Sequence, residues 1–399
     1  MPATTTLNAP PLLTETEYLS FLLNFAFSNN FSIAVWRLPN TTEKHIVITE
    51  QHQTLKNDAM LEDLSAGFIF APFDTAKERM FLPAERYFIF SGNTLKNPET
   101  PEQADAANWL HEAIKKHPRL SHARPYTPRT AEALRTKDHY TTLVEKCLNE
   151  IEKGTFEKVV PSRSKSVPLP ANFDIISAFH KLADAYPNAL ISFVSSPETG
   201  SWLGATPELL VSVENNNTFR TVALAGTKAY TGEVNLKTVA WTQKEIEEQA
   251  LVERYVISCF KKIRLREYDE HGPKTVIAGN LIHLRSDFTV DMKETNFPQL
   301  GSVMLQLLHP TSAVCGMPVE AAREFLRQNE GYDRGYYAGY LGPVNVAGNI
   351  NIFVNLRCMQ LLNDQAVVYA GAGVTIDSIP EDEWSETEMK FNTVLKAMA

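Results

Sequence analysis

The sequence contains only four cysteines, and no two of them form a CxxC pair. They are spread over the chain at Cys147, Cys259, Cys315 and Cys358. Structural zinc sites and disulfide frameworks need closely spaced or numerous cysteines, so the sequence argues against both. Reduced thiols are typical of a cytosolic protein, and we therefore expect a cytoplasmic location.

The sequence also lacks an excess of basic residues. Its formal net charge is −9, whereas nucleic-acid-binding domains usually carry a basic patch. We therefore expect no nucleic-acid partner. An anionic small molecule is still compatible with this charge, because a local group of Arg and Lys can attract it.

Long apolar runs are missing as well. No segment reaches the length of a membrane-spanning helix. The N-terminal stretch, MPATTTLNAPPLLTETEY, does not join a basic segment to an apolar one, as a signal peptide would. We expect no membrane association and no secretory leader.

The apolar pattern predicts an α/β protein of the α+β type. Strand-like runs rich in aromatic and β-branched residues follow one another in long series, with helices inserted between them. We predict one large domain with extensive, mostly antiparallel sheets and helices packed outside. The Pro-rich stretch 118–130 is the best candidate for a linker.

One predicted helix, over residues 242–263, carries glutamates on its apolar side. Thr242 and Glu245 have the T-x-x-E spacing of a capping box. At about 100° per residue, Glu248 lies inside the apolar stripe and Glu245 lies at its edge. A carboxylate in such a position costs free energy unless it is paired, protonated or bound to a cation. For Glu248 we favour a cation, whereas Glu245 fits a cation and the positive end of the helix equally well.

The last predicted helix carries a second acidic patch in the stretch EDEWSETEMK, residues 381–390. Ser378 is predicted to cap this helix. Glu383, Glu386 and Lys390 are three and four residues apart, so they share one helical face. Two glutamates from separate helices, with no His or Cys nearby, favour Mg²⁺ over Zn²⁺. The sequence therefore predicts a magnesium site between the two helices.

Eight short motifs then occur in a fixed order: KVVPSR (158–163), GATPELL (204–210), LAGT (224–227), HPTSAVCG (309–316), YLG (340–342), NLRC (355–358), AGAG (370–373) and EWSETEMK (383–390). In this order they resemble the chorismate-utilising enzyme family, and within it the isochorismate synthases. The resemblance covers about residues 130–399. It implies a large antiparallel fold with a deep central site, chorismate as substrate, and a monomer. It also implies a chorismate-binding catalytic region at 131–399, with residues 1–130 completing the sheets.

The resemblance implies proton-transfer roles for two residues. Isomerisation of chorismate to isochorismate adds water at C2 and expels the C4 hydroxyl, so each end needs its own proton-transfer group. Lys158 would be the general base for water, and Glu208 would be the general acid for the leaving hydroxyl. A lysine base must be neutral and a glutamic acid must stay protonated near pH 7, and a dry site favours both.

Other motif residues would hold the metal and the substrate. Glu248 and Glu386 would bind Mg²⁺, with Glu245 and Glu383 as additional or water-mediated ligands. Arg357 would grip a carboxylate with two parallel hydrogen bonds, and the glycines of the GAG turn would let backbone N–H groups approach an anion. Further substrate contacts are expected from Ala225, Thr227, His283, Tyr340, Gly371, Gly373 and Lys390.

Several features favour water over ammonia as the nucleophile. Water-adding family members carry Lys at the position of Lys158. Ala225 stands just before the Gly-Thr pair, where aminodeoxychorismate synthases carry a nucleophilic Lys, and no glutamine-amidotransferase domain is visible. The alternatives are a salicylate synthase, which also eliminates pyruvate, and a non-catalytic chorismate-binding protein. Isochorismate can serve menaquinone, siderophore or salicylate biosynthesis, and the sequence favours none of them.

Overall fold

The computed structural model of the protein describes residues 13–92, 94–117, 125–126, 136–230, 235–278 and 281–398. Most of the predicted linker, and the predicted boundary at residue 130, lie outside the described residues. The described part of the chain forms eight α-helices and twenty β-strands. None of these helices is long and apolar enough to cross a membrane.

The strands are β1 Ser32–Arg37, β2 Lys44–Thr49, β3 Gln53–Leu55, β4 Gly67–Ala71, β5 Arg79–Pro83, β6 Arg86–Ser91, β7 Thr94–Leu95, β8 Lys158–Val159, β9 Ser162–Pro168, β10 Leu190–Ser196, β11 Gly200–Thr206, β12 Leu209–Glu214, β13 Thr218–Ala229, β14 Asp269–Ala278, β15 Leu281–Asp291, β16 Gly316–Met317, β17 Tyr340–Val344, β18 Ile350–Val354, β19 Cys358–Leu361 and β20 Gln365–Gly371. The helices are α1 Glu15–Asn29, α2 Pro101–Lys116, α3 Lys137–Glu152, α4 Ile175–Ala185, α5 Gln243–Lys262, α6 Leu300–Leu308, α7 Val319–Asn329 and α8 Pro380–Leu395.

Two nine-stranded sheets contain nearly all of these strands. The first has the order β7-β6-β2-β1-β10-β11-β19-β20-β9, and the second has the order β14-β15-β13-β12-β18-β17-β4-β5-β3. Neighbouring strands in both sheets are antiparallel, and β8 and β16 form a separate small ladder. This architecture confirms the predicted fold class. Strands from the first 130 residues lie in both sheets.

The first sheet is buried on both faces, which explains the continuous apolar run of β1. Side chains on a strand alternate between the two faces of its sheet. Ala34 and Trp36 therefore enter the main core, which also holds residues of the second sheet, such as Phe70 on β4. Ile33 and Val35 enter a second core that also holds apolar residues of the helices α1, α2, α4 and α8.

Two crossings of the chain between the sheets determine where the candidate site lies. Residues 207–208 connect β11 of the first sheet to β12 of the second, and residues 355–357 connect β18 of the second sheet to β19 of the first. The crossings are neighbours, because β11 pairs with β19 and β12 pairs with β18. The run 349–359, which its apolar pattern predicts as one strand, is therefore two strands in different sheets.

Candidate active site

Glu208 and Arg357 lie in the two crossings, and backbone hydrogen bonds hold these segments together. The N–H of Val354 donates to the carbonyl of Glu208 at 3.0 Å, and the N–H of Ala205 donates to the carbonyl of Arg357 at 3.0 Å. Arg357 has a φ of 48°, in the left-handed region that non-glycine residues rarely adopt. Such a conformation costs about 1–3 kcal/mol and occurs most often at functional sites.

Both side chains border a cavity at the crossings. Eight of the residues predicted from the sequence line it: Glu208, Ala225, Thr227, Glu248, His283, Arg357, Gly371 and Lys390. The remaining lining residues are Val160, Pro207, Leu224, Ala313, Val314, Tyr337, Leu356, Tyr369 and Ala370. The cavity therefore combines apolar walls with a few convergent charged groups, as small-molecule sites commonly do.

The carboxyl group of Glu208 is buried in this cavity. Burial raises its pKa to about 7, although the positive charges of Arg357, Lys158 and Lys390 act in the opposite direction. A carboxyl with this pKa is about half protonated at neutral pH, so it can donate a proton there. This agrees with the chemistry expected of a general acid.

Lys158 is completely buried, with a side-chain exposure of 0 %. Its Nζ donates to Oε1 of Glu248 at 2.8 Å. Burial alone would raise the pKa of Glu248, but the charge and hydrogen bond of Lys158 outweigh burial and lower it. The two residues therefore form an ion pair that joins β8 to α5.

Gly373 makes room for this ion pair. A Cβ at this position would lie 2.6 Å from Oε1 of Glu248 and 3.0 Å from Cε of Lys158. Any larger residue would push the pair apart. In the same turn, the N–H of Ala372 donates to the carbonyl of Pro161 at 3.3 Å. The turn thus combines steric room for the pair with a backbone contact to the 158–163 motif.

The acidic face of α8 is directed toward lysines. Nζ of Lys390 donates to Oε1 of Glu386 at 2.6 Å and to the carbonyl of Gly371 at 2.7 Å. Glu383 is 1 % exposed, and burial together with the neighbouring Glu386 raises its pKa. The helix begins at Pro380 rather than after Ser378, so the predicted cap is wrong. Proline is favoured in the first helical turn because its missing N–H has no partner there in any case.

Lys244 lies among the acidic groups of both helices, and the sequence argument did not identify it. Its Nζ donates to Oε1 of Glu383 at 2.6 Å. Burial alone would lower the pKa of Lys244, but the surrounding carboxylates of Glu383, Glu386 and Glu248 raise it. One ammonium group is therefore hydrogen-bonded to one predicted metal ligand and is stabilised by the charges of two others. Its position four residues before Glu248 on the same helical face was the signal that could have found it.

Glu245 caps α5, as the T-x-x-E spacing predicts. Its Oε2 accepts a hydrogen bond from the N–H of Thr242 at 2.6 Å and another from the Thr242 hydroxyl at 2.6 Å. A more distant charge contact joins it to Lys228 at 3.7 Å. The structure thus places this carboxylate at the helix start.

The role of Glu245 can be tested by replacing it with alanine. We expect the variant to lose about 1 kcal/mol of unfolding free energy in urea, because the capping box is lost. Glu17→Ala is the matched control, since Glu17 accepts the same two bonds from Thr14 on α1. Equal Mg²⁺ affinity of both variants in calorimetry is the expected result. A selective loss of Mg²⁺ affinity in Glu245→Ala would instead assign this residue to a metal site.

His283 is held as a neutral ring with a defined tautomer. Its Nδ1 lies 2.7 Å from the carbonyl oxygen of Gly226, which can only accept, so Nδ1 carries the proton. Burial and the charge of Arg357 lower the pKa of His283 to about 3. Its Nε2 is buried and has no hydrogen-bond partner among the described residues. The ring therefore offers one free acceptor at the cavity.

Tyr340 lines a different cavity, so the structure does not bring it together with the other predicted substrate contacts. Its hydroxyl accepts a hydrogen bond from Nη1 of Arg79 at 3.3 Å. On β17 it pairs with Ala71 of β4, and the next strand, β5, carries Arg79. The side chain therefore projects from the part of the second sheet that carries Arg79, away from the crossings.

Comparison with known proteins shows which family the chain belongs to. A family model described as chorismate binding enzyme matches residues 74–399. The match thus begins well before residue 130, where the recognisable motifs start. The isochorismate synthase DhbC of Bacillus subtilis is 32% identical over 273 residues, which is 65% of this chain and 68% of that protein. The vibriobactin-specific isochorismate synthase of Vibrio cholerae is 27% identical over 309 residues, which is 75% of this chain and 77% of that protein.

Solved structures show the same fold. The menaquinone-specific isochorismate synthase MenF of Escherichia coli superposes with a TM-score of 0.71 at 21% identity, covering 100% of this chain and 94% of that one. Anthranilate synthase component I of Streptococcus pneumoniae gives a TM-score of 0.69 at 19% identity, covering 93% of this chain and 92% of that one. Because the family model spans most of the sequence and DhbC is matched over more than two thirds of its length, the chain belongs to the chorismate binding enzyme family.

Proposed function

We propose that the protein is an isochorismate synthase, which isomerises chorismate to isochorismate. Two observations carry this proposal: Glu208, in the cavity wall, has a buried carboxyl whose pKa is about 7, and the completely buried Lys158 contacts Glu248 of the same wall. These are the two proton-transfer groups that the reaction needs. The family membership and the isochorismate synthase relatives support the same activity.

The ammonium that pairs with Glu248 in this structure cannot accept a proton. In the proposed reaction, Lys158 therefore first loses its proton to solvent and then accepts one from water as the oxygen bonds to C2 of the ring. The C1–C2 and C5–C6 double bonds move to C1–C6 and C4–C5, and the hydroxyl leaves from C4. Glu208 donates its proton to that oxygen, so one water is consumed and one is released. Each proton transfer contributes about 10²–10⁴-fold to the rate of such reactions.

The cationic groups of the cavity suit a dianionic substrate. Arg357 is buried and lies beside Glu208, so its guanidinium can hold a carboxylate with two parallel hydrogen bonds. Lys390 adds a second positive charge to the wall of the same cavity, where it contacts the carbonyl of Gly371. The free Nε2 of His283 accepts a hydrogen bond from a substrate hydroxyl. Together these groups fix the orientation of the ring.

The carboxylates of α5 and α8 fit a magnesium ion. They are oxygen donors only, as Mg²⁺ prefers, and a Mg²⁺ site commonly uses one or two carboxylates and leaves room for water and substrate. The described residues contain no group of three or more His, Cys, Asp or Glu side chains that could hold a metal ion by themselves. However, the carboxylates of Glu383, Glu386 and Glu248 together raise the pKa of Lys244, which supports a cation site in this region.

Glu248 and Glu386 would hold the ion, and Glu383 would stabilise it from its buried position on α8. When bound, Mg²⁺ supplies positive charge that holds the ring carboxylate and offsets the negative charge of the two glutamates. In this structure, Lys244 forms an ion pair with Glu383, and Lys390 forms one with Glu386. These lysines therefore keep the acidic patch stable when no divalent ion is present.

Removal of divalent ions is expected to abolish activity. Treatment with EDTA should stop isochorismate formation, and added Mg²⁺ should restore it, as measured by chromatography of the product. Glu386→Gln should need far more Mg²⁺ for half-maximal activity, because one of the two ligand carboxylates is lost. Glu381→Gln is the control, since Glu381 lies on an exposed part of the same helix. Full activity in the presence of the chelator would rule out the metal.

The product distinguishes the two reactions that share this site chemistry. With chorismate and Mg²⁺ we expect isochorismate as the product and no pyruvate, as followed by coupling to lactate dehydrogenase. Stoichiometric pyruvate would show a salicylate synthase instead. Binding of chorismate without any turnover would show a binding protein. The names of the relatives include both siderophore and menaquinone enzymes, so the proposal concerns the reaction and not a pathway.

A further inference from the structure

A second cavity of about 350 Å³ lies on the second sheet, and none of its lining residues lines the candidate active site. We call it the Arg79 cavity. Its buried and half-buried lining residues Arg79, Tyr340, Leu305 and His309 are called its floor here. Its exposed lining residues, called its rim, include Asp58, Asp74, Lys77 and Gln306. Cavities of this size hold small ligands in many proteins.

The floor contains a positive charge without a counter-charge. Arg79 is 4 % exposed, and no carboxylate among the described residues lies within salt-bridge distance of its guanidinium. Nη2 donates to the carbonyls of Lys56 and Ala59, and Nη1 donates to Tyr340. Its Nε is buried and has no hydrogen-bond partner within the described ranges. A buried charge of this kind is costly unless an anion compensates it.

Tyr340 adds a second donor beside Arg79. Because its hydroxyl oxygen accepts from Arg79, its own proton is left to donate, and the described residues provide no acceptor for it. The rings of Tyr340 and His309 meet edge to face, with centroids 4.8 Å apart, and the buried side chain of Leu305 lies beside them. An apolar, planar surface therefore adjoins the two donors.

The rim of the cavity carries hydrogen-bond acceptors, whereas the floor carries donors. Asp58 and Gln306 are exposed, and each carries an oxygen that can accept a hydrogen bond. We propose that the Arg79 cavity binds a small aromatic carboxylic acid that carries a hydroxyl group. The carboxylate accepts from Arg79 and Tyr340, the ring packs against Leu305 and His309, and the hydroxyl reaches the rim. This inference does not depend on the proposed reaction.

The floor of the cavity is connected to the walls of the candidate active site. His309 begins the segment whose Ala313 and Val314 line that site. Tyr340 pairs with Val354, the last residue before the crossing that carries Arg357. A ligand that orders this floor therefore acts on two walls of the other cavity, which makes it an effector in the thermodynamic sense.

Isothermal titration calorimetry with 4-hydroxybenzoate tests the proposal on the full chain. We expect binding with a Kd of about 1 mM or tighter, and binding about tenfold weaker in Tyr340→Phe, which loses one donor to a charged group. Gln306→Trp should abolish binding, because the indole fills the cavity from an exposed helix position without disturbing the core. 4-Hydroxybenzamide, which lacks the carboxylate, should bind at least tenfold more weakly.

Two results would overturn the proposal. One is a wild-type protein that shows no binding or binds with a Kd weaker than about 1 mM. The other is equal affinity of the wild type, Tyr340→Phe and Gln306→Trp, which would place the probe elsewhere, such as at Arg357. Thermal melts of both variants verify their folding, and the comparison of acid with amide in the wild type needs no variant. Because binding is measured directly, the test holds even for a protein without isochorismate synthase activity.

Discussion

Replacement of Lys158 by alanine is expected to lower kcat for isochorismate formation by about 10²–10⁴-fold, the usual contribution of a general base. The amine is completely buried and contacts Glu248, which lines the cavity. Chorismate binding should persist within about tenfold, because the groups assigned to the carboxylates, Arg357 and Lys390, are retained. Steady-state kinetics and calorimetry measure the two quantities separately.

Two controls separate catalysis from folding in this experiment. Lys158→Met keeps most of the side-chain volume, so equal losses of kcat in both variants would exclude a packing effect. Lys153→Ala removes a lysine that pairs with Glu150 on the protein surface, and it should leave kcat unchanged. Turnover by Lys158→Ala at the wild-type rate would show that another group activates the water.

Replacement of Glu208 by glutamine is expected to reduce kcat to a similar extent, about 10²–10⁴-fold, because an amide cannot protonate the leaving hydroxyl. The wild-type rate should also fall as the pH rises through about 7, where burial places the pKa of this carboxyl. In the Gln variant, the residual rate should lose this alkaline decline. A variant that keeps the wild-type pH profile would show that the decline belongs to a different group.

The same substitution should stabilise the protein at alkaline pH. The pKa of Glu208 rises from 4.5 in its ordinary state to about 7 in the folded protein, so the folded state binds this proton more tightly than the unfolded chain. Stability from this group is therefore present below pH 4.5 and is lost as the pH rises to about 7. By linkage, the loss is about 3 kcal/mol.

Urea unfolding at pH 4 and pH 8 measures this effect. Glu208→Gln should match the wild type in acid and exceed it in base, because the amide is neutral at both pH values. Glu270→Gln is the control on an exposed strand position, where no such difference is expected. An equal stability of wild type and Glu208→Gln at pH 8 would mean that the carboxylate is well solvated or fully compensated by Arg357.

Local patterns predicted much of this protein correctly. The T-x-x-E spacing predicted the start of α5, since a capping box depends on residues only three positions apart. The helical period placed Glu383, Glu386 and Lys390 on one face of α8. In the structure Glu386 pairs with Lys390 on that face, and Glu383 pairs with Lys244 of α5. The long series of strand-like runs predicted the antiparallel sheets. The cap and the helix face follow from the geometry of a single helix, and the strands follow from local residue patterns.

Predictions failed where the outcome depends on a second element. Apolar alternation continues through residues 349–359, so the pattern gives no sign that the chain changes sheets there. Tyr340 stands in a recognisable motif, yet the buried guanidinium of Arg79, far away in the sequence, determines where its hydroxyl lies. The sequence analysis did not single out Lys244, because its contact with Glu383 depends on the position of a second helix, α8.

The amino-acid sequence by itself determined the helix faces, the capping box of α5 and the order of the family motifs, because these depend on spacing along one chain. Only the tertiary structure decided that Glu208 and Arg357 meet at two neighbouring crossings, and that Lys158 pairs with Glu248. Burial and proximity of distant charges set the pKa of Glu208, and neither can be read from local spacing. The reactive character of the site therefore arises from the packing of the two sheets.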